Sequence, residues 1–297
     1  LILSDSQSAD ILAAMSVTEE AGIPMIGIGT GVSWTKCGGQ YTFRSTTSGY
    51  TVYPSMIEAL KQMGAKRCAF FYVENDLGQS ANTWFTGENG RFQEAGIEVT
   101  SISSYQKAEN DFTGSLSAAL ANNPDAIAIV NNGPNELSQF VKQARQQNSK
   151  GPIVTIENAA NGQIPEVCGD LCTGLIFPSG GLVTTTLEAA LTEKVREAEE
   201  LYFNYFGEMC TGSAVLRSYD QAMIAAHALR TCTDVDDPDA IRDAILNIQG
   251  LTLAQGTYDF TAGDGDGLAT CDIYMYVGPE KTLFDAELCK ELLAKAY

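Results

Sequence analysis

Short apolar runs alternate with longer helix-like stretches through the first half of this chain, and that rhythm is the strongest constraint on its fold. Arg67–Val73 (Arg-Cys-Ala-Phe-Phe-Tyr-Val) and Ala126–Val130 are apolar almost throughout, the pattern of strands covered on both faces. Residues 24–28, 97–103 and 153–156 read as further strands. Residues 9–21, 78–95 (closed by Gly96), 111–121 and 136–148 read as the helices between them. Strand and helix taken in turn predict a parallel sheet with helices on both faces. The rhythm changes near residues 173–178. Helices are predicted over 187–206, 218–231 and 238–248, then strands over 256–260 and 271–277 about a glycine-rich turn at 263–267, and a last helix over 285–296.

The length of 297 residues allows one large domain or two ordinary ones. Acidic residues outnumber basic ones 37 to 18, for a net charge of −19. That field excludes nucleic acid and an anionic membrane surface as natural partners, since both require clustered Lys and Arg. No apolar run approaches the roughly 18 residues of a membrane-spanning helix. The chain opens Leu-Ile-Leu-Ser-Asp, without a basic segment or a small-residue cleavage pattern.

Eight cysteines are present: Cys37, Cys68, Cys168, Cys172, Cys210, Cys232, Cys271 and Cys289. An even count this high fits disulfides in an oxidising compartment, and Cys168-Gly-Asp-Leu-Cys172 could close a local loop. Buried free thiols are the alternative. A zinc site is disfavoured, because no second close pair accompanies the first and the sole histidine is His227.

Signals for catalysis are thin. His227 lies among alanines in a helical stretch, the setting of a structural histidine, and the chain has no nucleophile elbow, phosphate loop or zinc-protease motif. The cluster Gly27-Ile28-Gly29-Thr30-Gly31 lacks the spacing of a phosphate cradle. Asp264-Gly265-Asp266-Gly267 begins like a calcium loop, yet Met275 stands where the bidentate glutamate belongs, so it reads as a tight turn.

Small polar residues at strand ends are more informative. Ser4, Ser6 and Ser8 precede the first helix; taken locally they read as caps, and a helix start rich in hydroxyls also suits a carboxylate. Thr30 follows the next strand, at the same carboxyl edge where open α/β folds bind ligands. Glu157 follows the strand at 153–156. In isolation it reads as solvated; facing a cleft, it would hold a cation.

In their order these features resemble the leucine/isoleucine/valine-type solute-binding proteins of the class I periplasmic binding fold. The stretches that carry the resemblance are Glu19-Glu20-Ala21-Gly22-Ile23-Pro24-Met25-Ile26, Tyr41-Thr42-Phe43-Arg44-Ser45, Met63-Gly64-Ala65-Lys66-Arg67, Asn110-Asp111-Phe112, Asn123-Pro124-Asp125-Ala126 and Gln143-Ala144-Arg145. The resemblance implies two doubly wound parallel-sheet lobes, with lobe I over 1–46 and 178–252 and lobe II over 47–177 and 253–297. It also implies that the usual N-terminal strand–helix units are lacking, so the fold would be N-terminally incomplete. The first strand would then present an open edge through which another chain could associate.

The same resemblance implies a non-enzymatic, extracytoplasmic receptor of an ABC importer, partnered by a membrane permease and needing no cofactor or metal. It would take an amino acid or related zwitterion between its lobes by hinge closure. The ligand carboxylate would meet Ser8 and Thr30, with Gln7, Ile28 and Gly29 also at the ligand, and its ammonium would meet Glu157, beside Asn158. Leu77, Gly133 and Ala214 stand where the family commonly places aromatic walls, which implies a roomier pocket than one built for leucine. A sensor ectodomain of the same fold, or a binder of an amide, urea or aromatic acid, is the alternative reading.

Overall fold

The computed structural model describes residues 1–35 and 39–297. In chain order it begins β1 (Ile2–Leu3), α1 (Ser8–Glu20), β2 (Met25–Gly27), β3 (Thr42–Arg44) and α2 (Gly49–Met63). There follow β4 (Arg67–Val73), α3 (Asp76–Thr86), α4 (Arg91–Glu94), β5 (Glu98–Tyr105), α5 (Thr113–Leu120), β6 (Ala126–Val130), α6 (Pro134–Gln146), β7 (Ile153–Thr155), α7 (Gln163–Cys168) and β8 (Leu175–Ser179). The chain ends α8 (Glu193–Phe206), α9 (Ala214–Thr231), α10 (Pro238–Leu246), β9 (Gln249–Leu253), β10 (Gly256–Asp259), β11 (Asp272–Val277), β12 (Glu280–Leu283) and α11 (Ala286–Ala296).

These elements fall into two compact units. Unit 1 comprises Leu1–Thr51 and Gly180–Cys271; unit 2 comprises Val52–Ser179 and Asp272–Tyr297. The last boundary therefore lies at Cys271, not near residues 251–256. The reason is local: β10 pairs antiparallel with β9, and the 263–267 turn docks on β3 through an Arg44–Asp266 bridge, so both stay with unit 1.

Unit 1 is built on the parallel sheet β1-β2-β3. Among the described residues β1 has no strand on its outer side. One core cluster packs Ile26 and Phe43 of the sheet against Ile224 of α9, Ile245 of α10, Tyr258 and Phe260. A second joins Ile11 of α1 to Met25 and the fully buried Trp34. Beside these apolar groups lies a polar knot centred on Asp220 of α9. Its carboxylate accepts from the N–H of Ala254 (2.9 Å), the N–H of Gln255 (2.8 Å), the Tyr258 hydroxyl (2.8 Å) and Gln255 Nε2 (3.3 Å). Gln255 also donates to Ser45 O at 2.7 Å and accepts from Thr46 Oγ1 at 3.0 Å, so α9, the β9–β10 turn and the exit of β3 are tied together.

Unit 2 carries a seven-stranded sheet in the order β12-β11-β8-β7-β6-β4-β5. The five strands from β8 to β5 are parallel, and β11 and β12 are added antiparallel at one side. β4 and β6 occupy the residues that the apolar runs predict, and both are buried along their length save Arg67. Phe70 of β4 meets Phe85 of α3 and Phe92 of α4 at ring distances of 5.2 and 5.7 Å, while Phe71 meets Phe140 of α6 at 4.9 Å. Trp84, half-buried on α3, packs against Tyr53 at 5.5 Å.

The single helix expected over 78–95 is two, α3 and α4. At Gly87 a Cβ would stand 2.5 Å from Thr83 O, and the backbone there turns extended and ends the first helix. The helix expected over 187–206 likewise starts only at Glu193, where the Thr192 hydroxyl accepts from Val195 N–H. Neither β3 nor α2 is expected from the pattern. β3 is three residues long and ends in a charge, and Pro54 interrupts the apolar period of α2.

Candidate functional site

In unit 1 the carboxyl ends of β1 and β2 bring the expected residues together. Ser8 opens α1, but it is not the cap. Gln7 holds the cap position without a side-chain bond, and the Ser8 hydroxyl accepts instead from the Gly31 N–H at 2.9 Å. Nor do Ser4 and Ser6 cap the helix with their hydroxyls. Ser4 is held through its backbone by Ile26 and Gln221, and Ser6 donates through its hydroxyl to Asp5 at 3.1 Å. The Ser6 N–H and hydroxyl hold the Asp5 carboxyl below its ordinary range.

Two glycines make the approach of Ser8 possible. A Cβ at Gly29 would lie 2.9 Å from Ser8 Oγ, and one at Gly31 would lie 2.7 Å from it. Thr30 stands between them, buried, with its carbonyl accepting from the Gly49 N–H at 2.7 Å. Ile28 is buried as well, its N–H donating to Asp5 O at 3.2 Å. Ser8, Ile28, Gly29 and Thr30 thus share one corner. Beneath the loop lies Arg44, 0% exposed, whose guanidinium donates to Gly29 O, to Gly31 O (2.7 Å) and to Thr35 Oγ1 (2.6 Å). Ala214 is the exposed first residue of α9; that helix is joined to β1 and β2 two turns later, where Gln221 Nε2 donates to Ser4 O and Ile26 O.

In unit 2, Leu77, Gly133, Glu157 and Asn158 follow the carboxyl ends of β4, β6 and β7, which are neighbours in the sheet. Leu77 sits in the first turn of α3, capped by Asn75, whose Oδ1 accepts from Gly78 N–H at 3.1 Å. Gly133 caps α6, and its N–H donates to Glu136 Oε2 at 3.0 Å. Glu157 begins a short 3₁₀ turn and is 2% exposed. The solvated reading of this carboxylate therefore fails. A carboxylate that deep is held where a cation or several donors can meet it.

Amides are linked to one another along the same carboxyl edge of the sheet. Asn131 Oδ1 accepts from Thr155 Oγ1 at 2.9 Å, Asn158 Nδ2 donates to Asn131 O at 3.1 Å, and Asn75 Nδ2 donates to Asn132 Oδ1 at 2.9 Å. The Tyr276 hydroxyl donates to Ala159 O at 2.7 Å and fixes the segment just beyond. Sequence reasoning missed Asn75, Asn131, Asn132 and Arg44. The signal for the amides was there: polar residues directly after a fully apolar strand, at the edge where such sheets bind ligands.

The remaining sequence candidates do not form sites. His227 is half-exposed on α9. Among the described residues no group of three or more His, Cys, Asp or Glu is placed to hold a metal ion. The expected disulfides are absent among the described cysteines, and Cys37 lies outside the described residues. Cys168 and Cys172 are neighbouring thiols: Cys168 donates to Ser138 O at 3.1 Å, and its hydrogen bond with Cys172 lowers the one pKa and, with burial, raises the other. Among the described residues no helix is long and apolar enough to cross a membrane.

A family model described as periplasmic binding protein matches residues 1–281. A comparison with curated proteins finds no match. Among solved structures, a leucine-binding protein LivK from Thermotoga maritima superposes with a TM-score of 0.78 at 23% identity, over 95% of this chain and 78% of that one. An extracellular ligand-binding receptor from Rhodopseudomonas palustris gives 0.81 at 16% identity, over 95% and 81%. The branched-chain amino acid transporter substrate-binding protein LivJ of Streptococcus pneumoniae, solved with isoleucine, gives 0.75 at 19%, over 94% and 76%. These relatives are solute-binding proteins and receptors, not enzymes. With the class I periplasmic binding fold in both units and the family's sequence pattern running from residue 1 to 281, this chain belongs to the periplasmic binding protein family.

Proposed function

We propose that this chain is the extracytoplasmic solute-binding component of an ABC importer and that it carries an amino acid or related small zwitterion to a membrane permease. The ligand carboxylate is taken by Ser8 and Thr30 of unit 1, and its ammonium by Glu157 of unit 2. Each unit then contributes one half of the charge recognition, so closure on the ligand is driven by contacts that the open form lacks. The burial of Glu157 at a strand end, 2% exposed, is the observation that carries the reading. A short, uncharged side chain would leave that position with nothing to offer an ammonium. The modest residues at Leu77, Gly133 and Ala214 favour a ligand bulkier than leucine.

The amides at this edge favour a second reading, a ligand bearing a carboxamide or urea. Asn131 is spent on Thr155 and Gly133, but Asn132 uses its Oδ1 on Asn75 and Asn158 its Nδ2 on Asn131, which leaves an amide donor on the one and an amide acceptor on the other for such a ligand. Calorimetric titration of Glu157→Ala and Glu157→Gln with the twenty amino acids and with simple amides separates the two. Leaving a buried ammonium unpaired costs about 3–5 kcal/mol, so the zwitterion reading requires a loss of roughly a hundredfold or more in both variants. An unchanged dissociation constant removes that reading, and retained affinity for an amide in Glu157→Gln supports the second.

A further inference from the structure

We infer that the 263–267 turn is a strap that sets the proposed carboxylate-binding loop, acting through Arg44 as a positioning residue. This rests on the reading that Ser8 and Thr30 receive a carboxylate. The turn, which resembles a calcium loop in sequence, is fastened to β3. The Arg44 N–H donates to Gly265 O at 2.7 Å, residues 44 and 266 form a parallel bridge, and Arg44 Nε donates to Asp266 Oδ1 at 2.7 Å. On its other side the guanidinium lies over the Trp34 ring at 3.9 Å. Its two Nη atoms then reach Gly29 O, Gly31 O and Thr35 Oγ1.

The consequence for the loop follows from peptide geometry. In a trans peptide the C=O of one residue and the N–H of the next point in opposite directions. With the Gly29 carbonyl drawn to the guanidinium, the Thr30 N–H is turned away from it; with the Gly31 carbonyl drawn down, the Val32 N–H is turned away likewise. The Gly31 N–H is meanwhile directed to Ser8 Oγ. A loop with glycine on both sides of Thr30 has wide conformational freedom of its own, so this orientation must be imposed. Arg44 imposes it, and Asp266 with Gly265 hold Arg44 in the pose that does so. The charge is a burden the fold would otherwise shed, since an arginine that is 0% exposed requires a full set of acceptors.

The test compares Asp266→Ala, Asp266→Asn and the milder Thr35→Val, which removes an acceptor of the guanidinium. Hydrogen exchange of residues 29–35 is measured first and needs no ligand. We expect it to accelerate roughly tenfold or more in Asp266→Ala and Thr35→Val, with exchange of β4 and β6 in unit 2 unchanged, and to stay near wild type in Asp266→Asn, which keeps an acceptor for Nε. Unchanged exchange in both folded variants overturns the strap.

Binding of L-leucine and of L-leucinamide, which lacks the carboxylate, gives the second readout. Loss of the preference for leucine in Asp266→Ala, restored in Asp266→Asn, supports the positioning role; a purely structural role would weaken both probes alike. Ser8→Ala keeps the two ideas apart. If it weakens leucine and Asp266→Ala does not, the strap fails. If exchange accelerates as expected and neither variant alters leucine binding, the strap stands and the carboxylate reading falls.

Discussion

Asp220 is fully buried in unit 1, and burial pushes its pKa from 3.8 up to about 6, against the opposing pull of the hydrogen bonds from Gln255, Tyr258 and Ala254. The native state therefore keeps a proton that the unfolded chain gives up. As pH rises from 3.8 to about 6, this one group withdraws stability, because the folded form must pay desolvation for a charge that the unfolded form carries in water. At about 1.4 kcal/mol for each factor of ten, the gap amounts to about 3 kcal/mol in full, of which about 2 kcal/mol falls between pH 4.5 and pH 7. Asp220→Asn cannot titrate. It also turns an amide N–H₂ toward donors that the carboxylate accepts, at a cost of about 1–3 kcal/mol for the unsatisfied group. Urea unfolding of wild type and variant at both pH values isolates the effect, since distant carboxylates cancel in the difference. The wild type should exceed the variant by about 2 kcal/mol more at pH 4.5 than at pH 7. A difference that is flat, or that grows toward pH 7, would show that the four donors outweigh desolvation and that Asp220 ionises at or below its ordinary value.

Other perturbations probe the site and the thiols. Gly31→Ala would bring a methyl to 2.7 Å from Ser8 Oγ; we expect amino-acid affinity to fall at least roughly tenfold while the melting temperature moves little, because the loop is local and the core is untouched. Alkylation of the unfolded, unreduced protein followed by peptide mass analysis should label Cys168 and Cys172 fully. Native alkylation should be slow at Cys289, whose thiol burial pushes up to about 11. A 168–172 pair that resists labelling until reduced would contradict the thiol state described above.

The fold was legible where a strand is buried on both faces. β4 and β6 could be read to the residue because nothing polar interrupts them. The break between α3 and α4 was not, since it depends on how closely Gly87 approaches Thr83 O, a matter of backbone path. Ser8, Thr30 and Glu157 stand out by position, but taken locally Ser8 reads as a cap and Glu157 as a solvated carboxylate, and their proposed roles rest on the family resemblance. Their surroundings were not legible. The Ser8 hydroxyl meets an N–H 23 residues away, and Arg44 meets a carboxylate 222 residues away. Burial of Glu157 is likewise set by neighbouring strands and not by the Thr155-Ile156-Glu157-Asn158 stretch itself. Arg44 illustrates the limit most directly: a charged residue ending a three-residue strand looks like a surface group until the acceptors around it are assembled.

The chain contains two tryptophans, and the fold gives one to each unit. Trp34 is sealed under a cation, whereas Trp84 is partly open to solvent. Their emission should accordingly differ in colour and in quenching by iodide. Replacing either indole by phenylalanine leaves a fluorophore that reports on a single unit. Paired melts of the two variants would then reveal whether the halves lose their structure in one cooperative event or in sequence, without any extrinsic dye.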